Sequence, residues 1–329
     1  MIPMQRERLI PEFDWNAVFV QPWSEYASNS FWIVLMGFLV SGTCGLVGCF
    51  VILRRMALVG DAISHSLLPG ITLAFLLTHS RDTLPMMIGA VAAGVVTVAL
   101  IEAIRYSSRI KADAAIGIVF SSLFAVGVIL ISVFADKVDL DAECVLYGEL
   151  GFIPLQEIAY FGETEIGPEP VIRMGIIALI AIGLLVAFYK EMLVTSFDAG
   201  LAASLGISPT RYQYGLTLFL SIVIVSSFES VGVVLVIAMI IFPGATALLL
   251  TDRLSNALWI STAFSACYAV FGFHLATWLN ASIAGGMTVI AGIVFGIIWM
   301  VSPGQGLIIQ FRSRHSSNEE ALEPINPSL

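Results

Sequence analysis

The chain has 329 residues, 58% of them hydrophobic and only 12% charged, with a formal net charge of −9 and a mean hydropathy of +0.94. Soluble domains carry about 25% charged residues, so a water-soluble fold is excluded. The negative balance argues against nucleic acid as a partner. The length is therefore read as one bundle of membrane spans rather than two soluble domains.

The four cysteines, Cys44, Cys49, Cys144 and Cys267, form no CxxC pair. Neither a zinc ribbon nor a disulfide framework is supported. No signal peptide is evident. Residues 1–30 are polar and mixed in charge, and the first apolar run, 31–53, exceeds the ~7–15-residue core of a cleaved leader.

A bilayer core of ~30 Å needs about 20 apolar residues per helix. Candidate spans cover 31–53, 60–79, 84–104, 114–134, 171–189, 212–229, 231–250, 256–273 and 280–301. The joints near Asp82, Glu229 and Gly272 are tight. Transmembrane β-barrels are excluded, because their strands alternate and are only about ten residues long. The predicted fold class is all-α, a polytopic helical membrane protein with about nine transmembrane helices (eight if a joint is miscounted). The expected organisation is a polar segment 1–30, a transmembrane domain 31–306 and a cytoplasmic, disordered tail 307–329.

Basic residues set the orientation. With the N-terminus outside and the C-terminus in the cytoplasm, the inner set is Arg54, Arg55, Arg105, Arg109, Lys111, Lys190, Arg211, Arg253, Arg312 and Arg314. Only Arg6, Arg8, Arg81, Lys137 and Arg173 remain outside. The outer loop 135–170 is acidic, with Asp136, Asp139, Asp141, Glu143, Glu149, Glu157, Glu163, Glu165 and Glu169. Solvated loop charge and an electrostatic mouth that meets a delivery partner both fit.

Three stretches can carry chemistry. In the first, Asp61 and His65 are spaced i, i+4 and share a helix face. A carboxylate and an imidazole one turn apart can grip a transition metal. Pro69-Gly70 is expected to break the helix just beyond them and free carbonyls near the site. The plainer reading keeps Asp61 as a helix cap and His65 as an interhelical hydrogen-bonding group. Two side chains also leave a coordination shell incomplete.

The second stretch runs from Ser196 to Pro209. Phe197, Leu201 and Leu205 recur every four residues and predict a short amphipathic helix. Asp198 suits its start, Gly206 its C-cap, and Pro209 prevents continuation. Its apolar face either lies on lipid or docks into another protein. In the third, Pro243-Gly244 within the apolar run 232–247 suggests a kink and close helix approach. Glu229 before it is read as interfacial, with pore lining the alternative.

Glu102 and Arg105 are expected to pair locally at the inner edge. His274 and His79, at outer span ends, are expected to be solvated. The chain has no GxxxxGK[ST], HExxH or GxSxG, so a Walker phosphate cradle, a zincin-type protease and a nucleophile elbow are unsupported.

On these stretches the sequence resembles the metal-specific permeases of bacterial ABC importers, the ABC-3 type that moves zinc, manganese and iron. The run 53–70 (LRRMALVGDAISHSLLPG) is close to that family's most specific signature. Ser196 through Gly206 matches its coupling segment, and Val231 through Ala247 its later proline-containing span. Asp139 through Leu150 resembles the manganese- and iron-linked branch. ABC importers at large usually carry Glu where this chain has Asp198.

The resemblance implies a transport subunit of the bacterial plasma membrane, not an enzyme. It implies a second permease subunit, identical or different, and cytoplasmic ABC ATPases docked on the coupling helices. An extracellular or periplasmic metal-binding protein would deliver the ion. The cargo would be a divalent metal, manganese favoured over zinc or iron, passing Asp61 and His65, with no permanently bound cofactor. Pro69, Gly70, Pro243 and Gly244 would shape the pathway, and Phe197, Asp198, Leu201, Leu205 and Gly206 would face the ATPase. The alternatives are an ATP-independent cation transporter or channel and, further off, an intramembrane enzyme.

Overall fold

The computed structural model describes residues 11–79, 83–134, 150–161 and 164–302. The acidic positions 136–149 and Glu163, together with the tail 307–329, lie outside the described residues, as do Arg81, Lys137 and Cys144. So does the side chain of Glu229.

The described elements begin with a π-helical turn, Asn16–Val20, and a short helix α1, Gln21–Ser24. Four long helices follow: α2 (Ala27–Leu53), α3 (Ala57–Thr78), α4 (Thr83–Ser107) and α5 (Ala112–Phe134). A 3-10 turn at Leu150–Leu155 precedes an antiparallel hairpin, β1 (Ile158–Phe161) and β2 (Thr164–Pro168). The hairpin is an addition to the all-α expectation; it leads straight into α6 (Glu169–Ala187). Two short helices, α7 (Tyr189–Phe197) and α8 (Ala199–Ser204), connect to α9 (Pro209–Leu250). The last two are α10 (Leu254–Leu279) and α11 (Ile283–Val301).

Seven of these helices are long and apolar enough to cross a membrane. The remaining two predicted spans are the arms of α9. Its 42 residues include Gly232 at φ 75° and ψ 166°, a backbone region essentially reserved for glycine. The chain turns back there. Ile224 and Ile240 both approach the position a Cβ on Gly60 would occupy, although a straight helix would hold them about 24 Å apart. The tight joint near Glu229 is therefore a glycine turn between spans.

Most predicted boundaries shift by three residues or fewer, and two shift further. The first span starts at Ala27 rather than Phe31. The span expected to end at residue 273 continues through Gly272 to Leu279. It stops where Asn280 turns left-handed (φ 50°), and Ser282 caps α11 by accepting the Gly285 N–H.

The core is built on close helix crossings, because membrane helices gain most from intimate contact between small residues. A Cβ on Gly48 of α2 would collide with the Ile240 carbonyl oxygen of α9. One on Gly45 would meet the Pro243 ring at 2.9 Å, and one on Gly244 the Cys49 amide nitrogen at 3.0 Å. Pro243-Gly244 thus makes the close approach expected of it. On the other side, α10 meets α11 where a Cβ on Gly286 would stand 2.6 Å from the Gly272 carbonyl oxygen.

The basic ends gather together. Arg54, at the end of α2, hydrogen-bonds α7. Glu102 binds Arg105 at 2.6 Å, as expected, and also accepts from Gln213 of α9 at 2.8 Å. Phe197 shares a hollow with Thr251 and Asp252. The hairpin and the N-terminal segment occupy the opposite end, where Gly167 lies against Trp32.

Gly48→Ala should destabilise the fold by roughly 1–3 kcal/mol, the usual cost of overpacking. Gly183→Ala, where a Cβ meets nothing within 4 Å, should be neutral. Thermal unfolding of the purified variants in one detergent checks the contrast.

Candidate functional site

Asp61 and His65 lie one turn apart on α3, four and eight residues into the span that begins beyond the Arg55 turn. His65 Nε2 stands 3.5 Å from Asp61 Oδ1, and the side chains are 39% and 42% exposed respectively. The pair therefore shares a face, as its spacing predicts, and that face points away from the chain's own core. Asp61 is not the N-cap of α3; that position is Met56. Among the described residues no third carboxylate, imidazole or thiol joins the pair.

Aromatic rings flank the imidazole. Phe120 and Phe124 of α5 place their centroids 5.5 and 6.1 Å from it. Their i, i+4 spacing is visible in the sequence, but only the packing of α5 on α3 brings them to His65. They limit the directions in which the imidazole can swing and leave its Asp61 side open.

The expected helix break at Pro69-Gly70 does not occur; α3 continues to Thr78. Packing holds it together. A Cβ on Gly70 would collide with the Gly89 carbonyl oxygen of α4, and one on Gly127 of α5 would lie 2.9 Å from Pro69 Cδ. Neighbouring helices thus support the turn that proline weakens. One part of the expectation holds on chemistry alone. Pro69 has no N–H, so the carbonyl four residues earlier, that of His65, lacks its usual helical donor.

The second stretch forms the expected caps, but not one helix: Phe197 ends α7, the backbone is extended at Asp198, and α8 carries Leu201 with Leu205 at its C-cap. Asp198 caps α8, accepting the Leu201 N–H at 2.9 Å. Gly206, at φ 79°, closes the C-terminus. The Gly206 N–H donates to the Ala203 carbonyl at 3.1 Å and the Ile207 N–H to Ala202 at 2.9 Å, the two bonds of a Schellman ending. Pro209 opens α9. Phe197, Leu201 and Leu205 are all exposed.

Arg54, at the α2–α3 turn, holds α7, the helix that leads into this knob, a role the sequence did not reveal. Its Nε donates to Ser196 Oγ at 3.0 Å and its Nη2 to Thr195 Oγ1 at 2.7 Å. Those hydroxyls in turn donate to the Met192 and Glu191 carbonyls. Burial pushes the Arg54 guanidinium below the ordinary arginine pKa. The partners are about 140 residues apart in sequence, so no local pattern marks them.

His274 corrects another expectation. It is buried rather than solvated, 7% exposed beneath the N-terminal segment.

A multi-pass helical bundle with an intramembrane carboxylate–imidazole pair and a capped apolar knob at its basic end has the construction of a transporter's membrane subunit. The ABC 3 transport family model matches residues 27–302, and the chain belongs to that family. It is 43% identical over 291 residues to the manganese transport system membrane protein MntD of Bacillus subtilis, covering 88% of this chain and 98% of that one. It is 41% identical over 276 residues to the zinc transport system membrane protein TroD of Treponema pallidum, covering 84% and 75%. Among solved structures, PsaBC from Streptococcus pneumoniae, in complex with Fab, superposes with a TM-score of 0.71 at 32% identity, covering 88% and 96%. The chain is thus a multi-pass protein of the bacterial plasma membrane.

Arg54→Ala should loosen α7 and α8 from the bundle. Amide hydrogen exchange over residues 189–206 should quicken by at least about tenfold, the equivalent of one lost hydrogen bond to a charged group.

Proposed function

We propose that this chain is the permease subunit of an ATP-driven importer and carries a divalent transition metal, manganese foremost, inward past Asp61 and His65. The observation that carries the reading is the exposed carboxylate–imidazole pair inside a span, in a chain 43% identical to a manganese transport protein. A zinc transport protein stands almost as near at 41% identity, so zinc is the competing cargo.

The chemistry of a transit site supports the pair. A carboxylate oxygen and a neutral imidazole nitrogen suit manganese, iron(II) and zinc. Two ligands from one chain hold an ion loosely enough to release it. The freed His65 carbonyl is a further oxygen donor on the same helix. An acidic side chain facing lipid costs about 3 kcal/mol near the bilayer centre. A second permease subunit laid against this face of α3 removes that cost and completes the coordination shell.

The basic end is the cytoplasmic end on the positive-inside rule. There Phe197, Leu201 and Leu205 form an apolar knob suited to a groove on a separate ATPase, with Asp198 and Gly206 fixing its shape. The chain acts as a transport subunit, and ATP hydrolysis falls to that partner. Arg54 joins the knob to the α2–α3 turn, so a push on α8 reaches the helix bearing Asp61 and His65. A metal-binding protein would deliver the ion at the opposite end.

Uptake of manganese, zinc and iron, each supplied separately, should be measured in cells expressing the whole transporter. In His65→Ala and Asp61→Ala one metal's uptake should fall by at least about tenfold at unchanged expression, since even supporting groups at metal sites are worth that much. ATP-dependent uptake that ignores both changes would refute the site. Uptake independent of ATP would establish a secondary transporter or channel instead. Phe197→Asp should abolish co-purification of the ATPase subunits with a correctly folded permease.

A further inference from the structure

Residues 11–26 precede the stretch matched by the family model, and transport as described makes no use of them. They are nevertheless fastened in place. An indole N–H can only donate, so the 3.3 Å bond from Trp23 Nε1 makes His274 Nε2 an acceptor. The proton of the neutral ring then sits on Nδ1, which donates to the Val18 carbonyl at 2.9 Å. Trp278 Nε1 donates to the Pro11 carbonyl at 3.3 Å, and Ser30 Oγ to the Pro22 carbonyl at 2.8 Å. Val18 and Pro22 are buried against the bundle.

The opposite side of the segment is bare and aromatic. Trp15 is 65% exposed, and Phe13, Val20 and Tyr26 are exposed as well. The segment runs directly into a membrane span, since Tyr26 is the N-cap of α2, whose first turns carry the exposed Phe31. The rings support one another: Trp15 lies 4.5 Å from Phe19, and Phe19 4.6 Å from His274. The segment contains Glu12, Asp14 and Glu25 but neither lysine nor arginine. Attraction to anionic headgroups cannot hold it, whereas burial of aromatic rings can.

We propose that residues 11–26 form an aromatic collar seated in the headgroup layer of the membrane, on the side where α2 begins, and clipped to α10 by His274. Trp and Tyr favour that depth because one end of each ring system is apolar and the other polar. The direct passage of the segment into α2 at Tyr26 sets the level at which the collar meets lipid. The collar depends on the membrane location alone, not on the metal or the ATPase.

The test uses the whole transporter in phosphatidylcholine nanodiscs. The emission of Trp15 is taken as the difference between the native protein and Trp15→Phe. Lipids brominated near the carbonyl end of the acyl chain should remove most of that emission, deeply brominated lipids less, and aqueous iodide little. Strong quenching by iodide with none by bromolipid would overturn the proposal. Protection that arises only on adding the metal-binding protein would overturn it too, by assigning the surface to a protein partner. In His274→Phe, which keeps a ring but loses both hydrogen bonds, Trp15 should become open to iodide; an unchanged pattern would refute the clip.

Discussion

The bundle depends on how closely α2 can approach the second arm of α9. Gly45 and Gly48 on one side and Pro243 and Gly244 on the other bring backbone against backbone. Lipid tails are as apolar as leucine, so burying hydrophobic side chains offers little reason for membrane helices to associate. Dense contact between small residues supplies the attraction. Larger residues at this crossing would move α2 outward and carry with it the Arg54 end. The turn at Gly232 serves the same crossing, because it returns the chain so that both arms of α9 reach the α2–α3 corner.

From that corner the two candidate functional features extend in different directions. Arg54 holds α7, and through it the capped α8, by bonds to two hydroxyls whose own protons are already given to α7 carbonyls. The guanidinium is therefore the donor those oxygens still lack. On the other side α3 presents Asp61 and His65, with Phe120 and Phe124 flanking the ring. A single chain leaves the pair half-exposed, and its incompleteness is physically informative. Ionisable groups at membrane depth face protein or water, not lipid, and the proposed second permease subunit would cover this face.

Much of the architecture was legible because membranes impose one-dimensional rules. Span length follows from bilayer thickness, and the segregation of Arg54, Arg105 and Lys190 to one end follows the positive-inside pattern. Local chemistry was equally readable where neighbours in sequence satisfy one another. Asp198 caps α8, Gly206 adopts the left-handed ending, and Asp61 meets His65 across one turn. Expectations failed where a distant element intervened. Pro69 weakens a helix in isolation, but α4 and α5 press against Pro69-Gly70 and keep α3 continuous. His274 reads as a solvated span end until the N-terminal segment folds over it.

By itself the sequence determined the membrane class, the spans, the shared face of Asp61 and His65, and the capped knob, since each rests on bilayer thickness or on bonds within a few residues. Only the tertiary structure decided that α9 doubles back, that Arg54 grips α7, that two phenylalanines flank the imidazole, and that the N-terminal segment is strapped to α10. Those features join residues far apart in the chain. Such partners are chosen by the shape of the packed bundle, and no periodicity along the sequence records that shape.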